Sequence, residues 1–145
     1  MRQAGADPVP MLIADAGFDN YNTTIATSKK FSSEKKDLVQ RFVNASLEGW
    51  AQYLKGGPAI EAANAAIKRD NPDMTDDKIA YAIKVMRGAG IIGSGDAKAL
   101  GIGALNADRW NGFYKDMADC GALPAGWDVA KLMTTEFVNK KAAML

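Results

Sequence analysis

The densest gathering of polar and aromatic groups lies at residues 15–22, Asp15-Ala16-Gly17-Phe18-Asp19-Asn20-Tyr21-Asn22. This short stretch offers two carboxylates, two amides, a phenol and a phenyl ring. An aromatic ring can stack on a flat ligand, while carboxylates and amides pair with the ligand's N–H groups. The chemistry it suits is recognition of a small polar solute. The same residue types also fit an ordinary turn whose Phe18 and Tyr21 close the core, and composition leaves both readings open.

Other motifs have plainer explanations. Gly88-Ala89-Gly90-Ile91-Ile92-Gly93 has the glycine spacing of a dinucleotide loop, but that loop needs a strand before it and a helix after it. Here a helical pattern precedes the glycines, so they read as a helix stop. Asn22-Thr23-Thr24 and Asn44-Ala45-Ser46 fit the glycosylation triplet, a short and common pattern, and Asn44 falls within a helical repeat. Asp76 and Asp77 suit the positive end of a helix better than a cation site. Trp50, Trp110, Trp127, Tyr53, Tyr81 and Tyr114 fall mostly in or beside helical stripes, where core packing is expected. Lys29-Lys30, Lys35-Lys36 and Lys140-Lys141 read as solvated faces, the last pair also suiting a helix end.

The absent residues are informative. The chain has no histidine and one cysteine, which excludes a Ser-His-Asp triad, a Cys-His pair and a histidine metal site within it. Cys120 reads as a small core residue late in a helical pattern. No metal or cofactor is expected. The 18 basic and 17 acidic residues balance to a net charge of +1, so no broad positive field favours nucleic acid. No run of about 18 apolar residues spans a membrane, and the first residues lack a signal peptide's apolar region.

The loop requires elements to hold it. Residues 9–14, Val-Pro-Met-Leu-Ile-Ala, predict a buried strand, and residues 23–27, rich in β-branched side chains, predict a second. A helix is expected next, capped by Ser32 or Ser33. Leu38, Val39, Phe42, Val43, Leu47, Trp50 and Leu54 form its apolar stripe, and Gly56-Gly57 stops it. Pro58 opens an alanine-rich helix. Thr75 caps a third, with Ile79, Ile83 and Met86 buried. Asn106 caps a fourth, bearing Trp110, Phe113, Tyr114 and Met117, and Asp128 starts a short last stretch. The expected fold class is mainly α with two or so short strands. Two strands make a poorly supported sheet, so the pattern reads as cut from a larger α/β fold.

Residues 12–21 and 24–31, with Leu38-Val39-Gln40-Arg41-Phe42-Val43-Asn44-Ala45-Ser46-Leu47-Glu48-Gly49-Trp50, resemble segments of periplasmic solute-binding proteins of ABC importers. The group is the one that carries thiamine pyrimidine precursors or nitrate, sulfonate and taurine. Gly101-Ile102-Gly103, Trp110-Asn111-Gly112-Phe113-Tyr114 and Gly121-Ala122-Leu123-Pro124 are similar to later blocks. The resemblance runs from about Leu12 to Val138 and is specific for the family, not for the ligand.

It implies a C-terminal fragment of a type II periplasmic-binding-protein fold, whose two α/β lobes close on the ligand. Residues 1–27 would end the second lobe and cross over, and residues 28–145 would be the helical end of the first. It also implies ligand contacts from Asp15, Phe18, Asp19, Tyr21 and Asn22, a permease partner and an extracytoplasmic place of work. A fragment lacking half of such a trap is expected to bind its ligand poorly. Fungal pyrimidine-precursor synthases resemble these carriers but have a cysteine-rich run in the corresponding loop and use a histidine. Gly17-Phe18-Asp19-Asn20-Tyr21 has no cysteine, which favours a carrier over an enzyme. A stand-alone helical module that self-associates is the remaining alternative.

Overall fold

The computed structural model describes residues 5–9, 11–18 and 20–145, without the side chain of Ala59. The chain forms two compact units, one of Met1–Thr24 with Asn106–Met133, the other of Ile25–Leu105 with Thr134–Leu145.

The larger unit is built on α1 (Lys29–Glu34), α2 (Lys36–Lys55), α3 (Pro58–Asp70), α4 (Asp76–Gly88) and the short α5 (Ala97–Leu100). Local chemistry sets most of the ends. Pro58 sits in the first turn of α3, where its missing N–H costs nothing. Thr75 caps α4, its hydroxyl accepting from Lys78 N–H at 3.4 Å. The cap of α1 is Ser28, whose hydroxyl accepts from Phe31 N–H at 3.1 Å. Ser32 and Ser33, expected as caps, lie inside α1 and donate back to the carbonyls of Lys29 and Lys30.

The core of this unit is one stripe of α2 against the end of the chain. Val39, Val43, Leu47 and Ala51 pack with Ile102, Phe137 and Ala143. Leu100 and Ile102 pair through backbone hydrogen bonds with Lys141 and Ala143, at 3.0 and 2.8 Å, without becoming a regular strand. Gly101, at φ +96°, permits the approach: a Cβ there would lie 3.0 Å from the Ala143 carbonyl oxygen. Asn139, at φ +61°, clamps Leu105, donating to its carbonyl at 2.8 Å and accepting from its N–H at 2.9 Å. Lys140-Lys141 therefore close no helix.

The smaller unit contains the 3-10 helix Ile13–Ala16, α6 (Ala107–Asp119) and the 3-10 helix Val129–Lys131, which packs on α6. Tyr114 fixes the turn after α6, donating to the Pro124 carbonyl at 2.9 Å and accepting from Trp127 N–H at 2.8 Å.

The expected α/β class is overturned. Among the described residues there is no strand and no sheet, so a periplasmic-binding-protein lobe with short strands is not what this chain builds. A strand's backbone groups need a partner, and the carbonyls of Leu12, Ile13 and Ala14 find theirs locally instead. Asp15 N–H reaches the Leu12 carbonyl at 3.0 Å, Gly17 N–H that of Ala14 at 3.0 Å and Phe18 N–H that of Ile13 at 3.3 Å. Gly17, at φ +95°, ends the turn. Val9, Met11 and Ile13 are 83%, 89% and 69% exposed rather than buried. Residues 23–27 are irregular and exposed. Cys120, expected in the core, is exposed as well, and Leu38, Phe42 and Trp50 stand outside the buried stripe of α2.

Candidate functional site

The smaller unit gathers its aromatic and cationic groups at the start of α6. Asn106 lies in extended backbone and its side-chain oxygen accepts from the N–H groups of Asp108 at 2.8 Å and Arg109 at 3.4 Å. Two of the donors that open a helix unpaired are thereby satisfied. The Asn106 N–H itself donates to the Tyr21 hydroxyl at 2.7 Å. Tyr21 thus ties the loop to the residue that starts the helix.

The next turn of α6 completes the cluster. Arg109 stands over Tyr21, its guanidinium carbon 4.3 Å from the ring centroid, and its Nη2 donates to the Asn20 carbonyl at 2.9 Å. This is a cation–π arrangement reinforced by a charged hydrogen bond. Trp110 lies beside Tyr21 with centroids 6.1 Å apart, and Phe18 meets Phe113 edge-on at 5.7 Å. The participating positions 106, 109, 110 and 113 share one face of α6 through three- and four-residue spacing. The Trp110 indole N–H is buried and makes no hydrogen bond. Further along, Lys115 is held above the ordinary lysine range by its hydrogen bond to Asp119 and then by that carboxylate's charge.

The five loop residues singled out from sequence fare differently. Phe18 and Tyr21 are half-buried in the cluster. Asp15 is exposed in the 3-10 helix and Asn22 is exposed beyond it. Asp19 lies outside the described residues. The residue that sequence reading missed is Arg109. Its signal was there: three residues after the cap Asn106 and four before Phe113, it is a cation on an aromatic stripe.

The groups that converge here are mainly donors: a guanidinium, an indole N–H and a phenol whose oxygen already accepts from Asn106. A hydroxyl that accepts one bond keeps its own proton to donate. The phenol proton beside that positive charge suits a solute that brings an acceptor. Among the described residues no three carboxylate or thiol side chains gather as a metal site, and no helix is long and apolar enough to cross a membrane. A cavity of about 120 Å³ in the larger unit, lined by Gly93, Ala97, Lys98, Ile102, Met144 and Leu145, falls well below the size of pockets that enclose small-molecule ligands.

Compared with known proteins, residues 1–58 match the model of the family described as NMT1/THI5 like. The matched part contains the loop and all of α2; the blocks at 101–103, 110–114 and 121–124 lie beyond it. No curated protein and no solved structure matches the chain.

Proposed function

We propose that this protein is part of a solute-binding component of an importer for a small nitrogenous or sulfonated compound, such as a thiamine pyrimidine precursor, and that it is not an enzyme. The observation that carries the reading is the family match over residues 1–58, which includes the loop ending in Tyr21. The Tyr21 hydroxyl beside the positive charge of Arg109 supports it, because its proton remains to pair with an acceptor. In this reading the protein works outside the cytoplasm, as the C-terminal part of its carrier, and hands the solute to a permease.

Uptake of labelled pyrimidine precursor, taurine and nitrate by cells with the gene disrupted tests this. One of the three is expected to fall. The wild-type gene restores it, and Arg109→Ala at equal protein level does not. Unchanged uptake of all three refutes the reading. Normal uptake combined with a requirement for the pyrimidine points instead to the synthase alternative.

A further inference from the structure

The stripe of α2 that packs on the core leaves a second apolar seam in solvent. Leu38, Phe42, Ala45 and Gly49 are all exposed, Phe42 by 61% and Leu38 by 46%. They follow one another at spacings of four, three and four residues, the repeat by which one helix lies along another. On an isolated surface helix those positions would be polar. The buried residues Val39, Val43 and Leu47 occupy a different side of the same helix. The seam is thus additional to the core and not part of it.

We propose that this seam binds a second copy of the chain, with the two α2 helices antiparallel. The sequence of the seam is complementary to itself in that direction and carries its own charge pattern. A twofold axis at the level of Val43 and Asn44 sets Phe42 of one copy against Ala45 of the other and Leu38 against Gly49. Each large side chain thereby meets a small one. Gly49 is open, since a Cβ there would touch nothing within 4 Å. Arg41 and Glu48 flank the seam on one edge, seven residues apart, so the same axis brings Arg41 of each copy beside Glu48 of the other. Neither is committed elsewhere in a way that resists exchange: Arg41 pairs with Asp37 across a highly exposed contact, and Glu48 accepts from Gln52 on the surface. Parallel pairing would set Arg41 against Ser46 and Glu48 against Tyr53, where neither meets an opposite charge.

The seam covers only about three turns, less than the area a tight dimer buries, so dissociation is expected on the order of micromolar. The inference is independent of solute capture, because no residue of the Tyr21 cluster takes part.

Sedimentation velocity of the full chain across a wide dilution series tests it. The wild type is expected to pass from dimer to monomer on dilution. Phe42→Glu should be monomeric throughout with unchanged helical circular dichroism. Gly49→Gln should be monomeric too, its side chain meeting nothing in its own chain but filling the place of Leu38 from the second copy. Arg41→Glu or Glu48→Arg alone should weaken the dimer about tenfold. The double variant Arg41→Glu/Glu48→Arg should recover it, which only the antiparallel register predicts. A wild type that stays monomeric, a dimer that survives Gly49→Gln, or a double variant no tighter than the singles overturns the proposal.

Discussion

Replacing Tyr21 separates the work of its hydroxyl from that of its ring. In Tyr21→Phe the ring keeps its place under Arg109, 4.3 Å from the guanidinium carbon, and beside Trp110. What is lost is the oxygen that accepts from Asn106 N–H at 2.7 Å. That N–H is partly buried, so leaving it unpaired costs about 1 kcal/mol, the lower end for an orphaned donor. Tyr21→Leu removes more. The cation–π contact contributes about 0.5–1 kcal/mol and the ring pair about 0.5–1.5 kcal/mol, so the total loss is about 2–3 kcal/mol.

Urea unfolding followed by tryptophan fluorescence in a Trp50→Phe background reads this directly. The remaining Trp110 and Trp127 both lie in the unit that holds Tyr21. With a slope of about 1–3 kcal/mol per molar urea, Tyr21→Phe should lower the midpoint by about 0.3–1 M and Tyr21→Leu by two to three times as much. Combining Tyr21→Leu with Arg109→Met should cost less than the two added separately, by about 0.5–1 kcal/mol. An unchanged midpoint for Tyr21→Phe would mean that the hydroxyl does not hold the start of α6. Equal losses for Phe and Leu would mean that the ring contributes nothing, and strict additivity with Arg109→Met would refute the cation–π contact.

Two glycine and asparagine positions in the larger unit give sharp contrasts. Gly103→Ala places a Cβ at φ +75° and 2.4 Å from Cδ2 of the buried Leu47, so it should cost about 2–4 kcal/mol and lower the thermal midpoint accordingly. Gly49→Ala, in open space within α2, should instead raise stability by about 0.5–1 kcal/mol in the same melt. Asn139→Gly keeps the left-handed backbone but loses both bonds to Leu105, at about 2 kcal/mol by urea unfolding. Asn139→Ala should lose about 1 kcal/mol more, because alanine at φ +61° adds strain.

Helix ends were the most legible feature because their signals are local. Pro58, Thr75 and Asn106 each satisfy or tolerate the unpaired N–H groups of a helix start, and each stands where its type predicts. Strands were misread because an apolar, β-branched run is only half of a strand. The other half is a partner for its backbone, which composition does not supply. Leu12 to Gly17 form a local turn instead. The stripe of α2 was misread for a related reason. Seven apolar positions at helical spacing were assigned one buried face, yet Leu38 and Phe42 are too far round the helix from Val43 and Leu47 to share it. Arg109 was passed over because a cation on a helix is usually solvated. Its role depends on where Tyr21 and Asn20 dock, 85 or more residues earlier in the chain.

That docking reverses the polarity expected of the site. Read as a free loop, residues 15–22 offer carboxylates and amides that would accept hydrogen bonds from a ligand. Folded, Asp15 and Asn22 are exposed, and the side of the loop that meets α6 presents Tyr21 and the Asn20 carbonyl to a guanidinium and Phe18 to Phe113. Among the described residues, the acceptors of that side are already engaged: the Tyr21 oxygen by Asn106 N–H, the Asn20 carbonyl by Arg109. What the cluster still offers a solute is the phenol proton beside a fixed positive charge. A solute recognised here should therefore be judged by its acceptors. A sulfonate or nitrate oxygen, or the ring nitrogen of a pyrimidine, fits that demand, and a protonated amine does not. Arg109→Lys tests the internal role of the guanidinium, since it keeps the charge but loses the planar group that stacks on Tyr21 while donating to the Asn20 carbonyl. The urea midpoint read by Trp110 and Trp127 should fall in that variant, and an unchanged midpoint would mean that a point charge over the Tyr21 ring suffices.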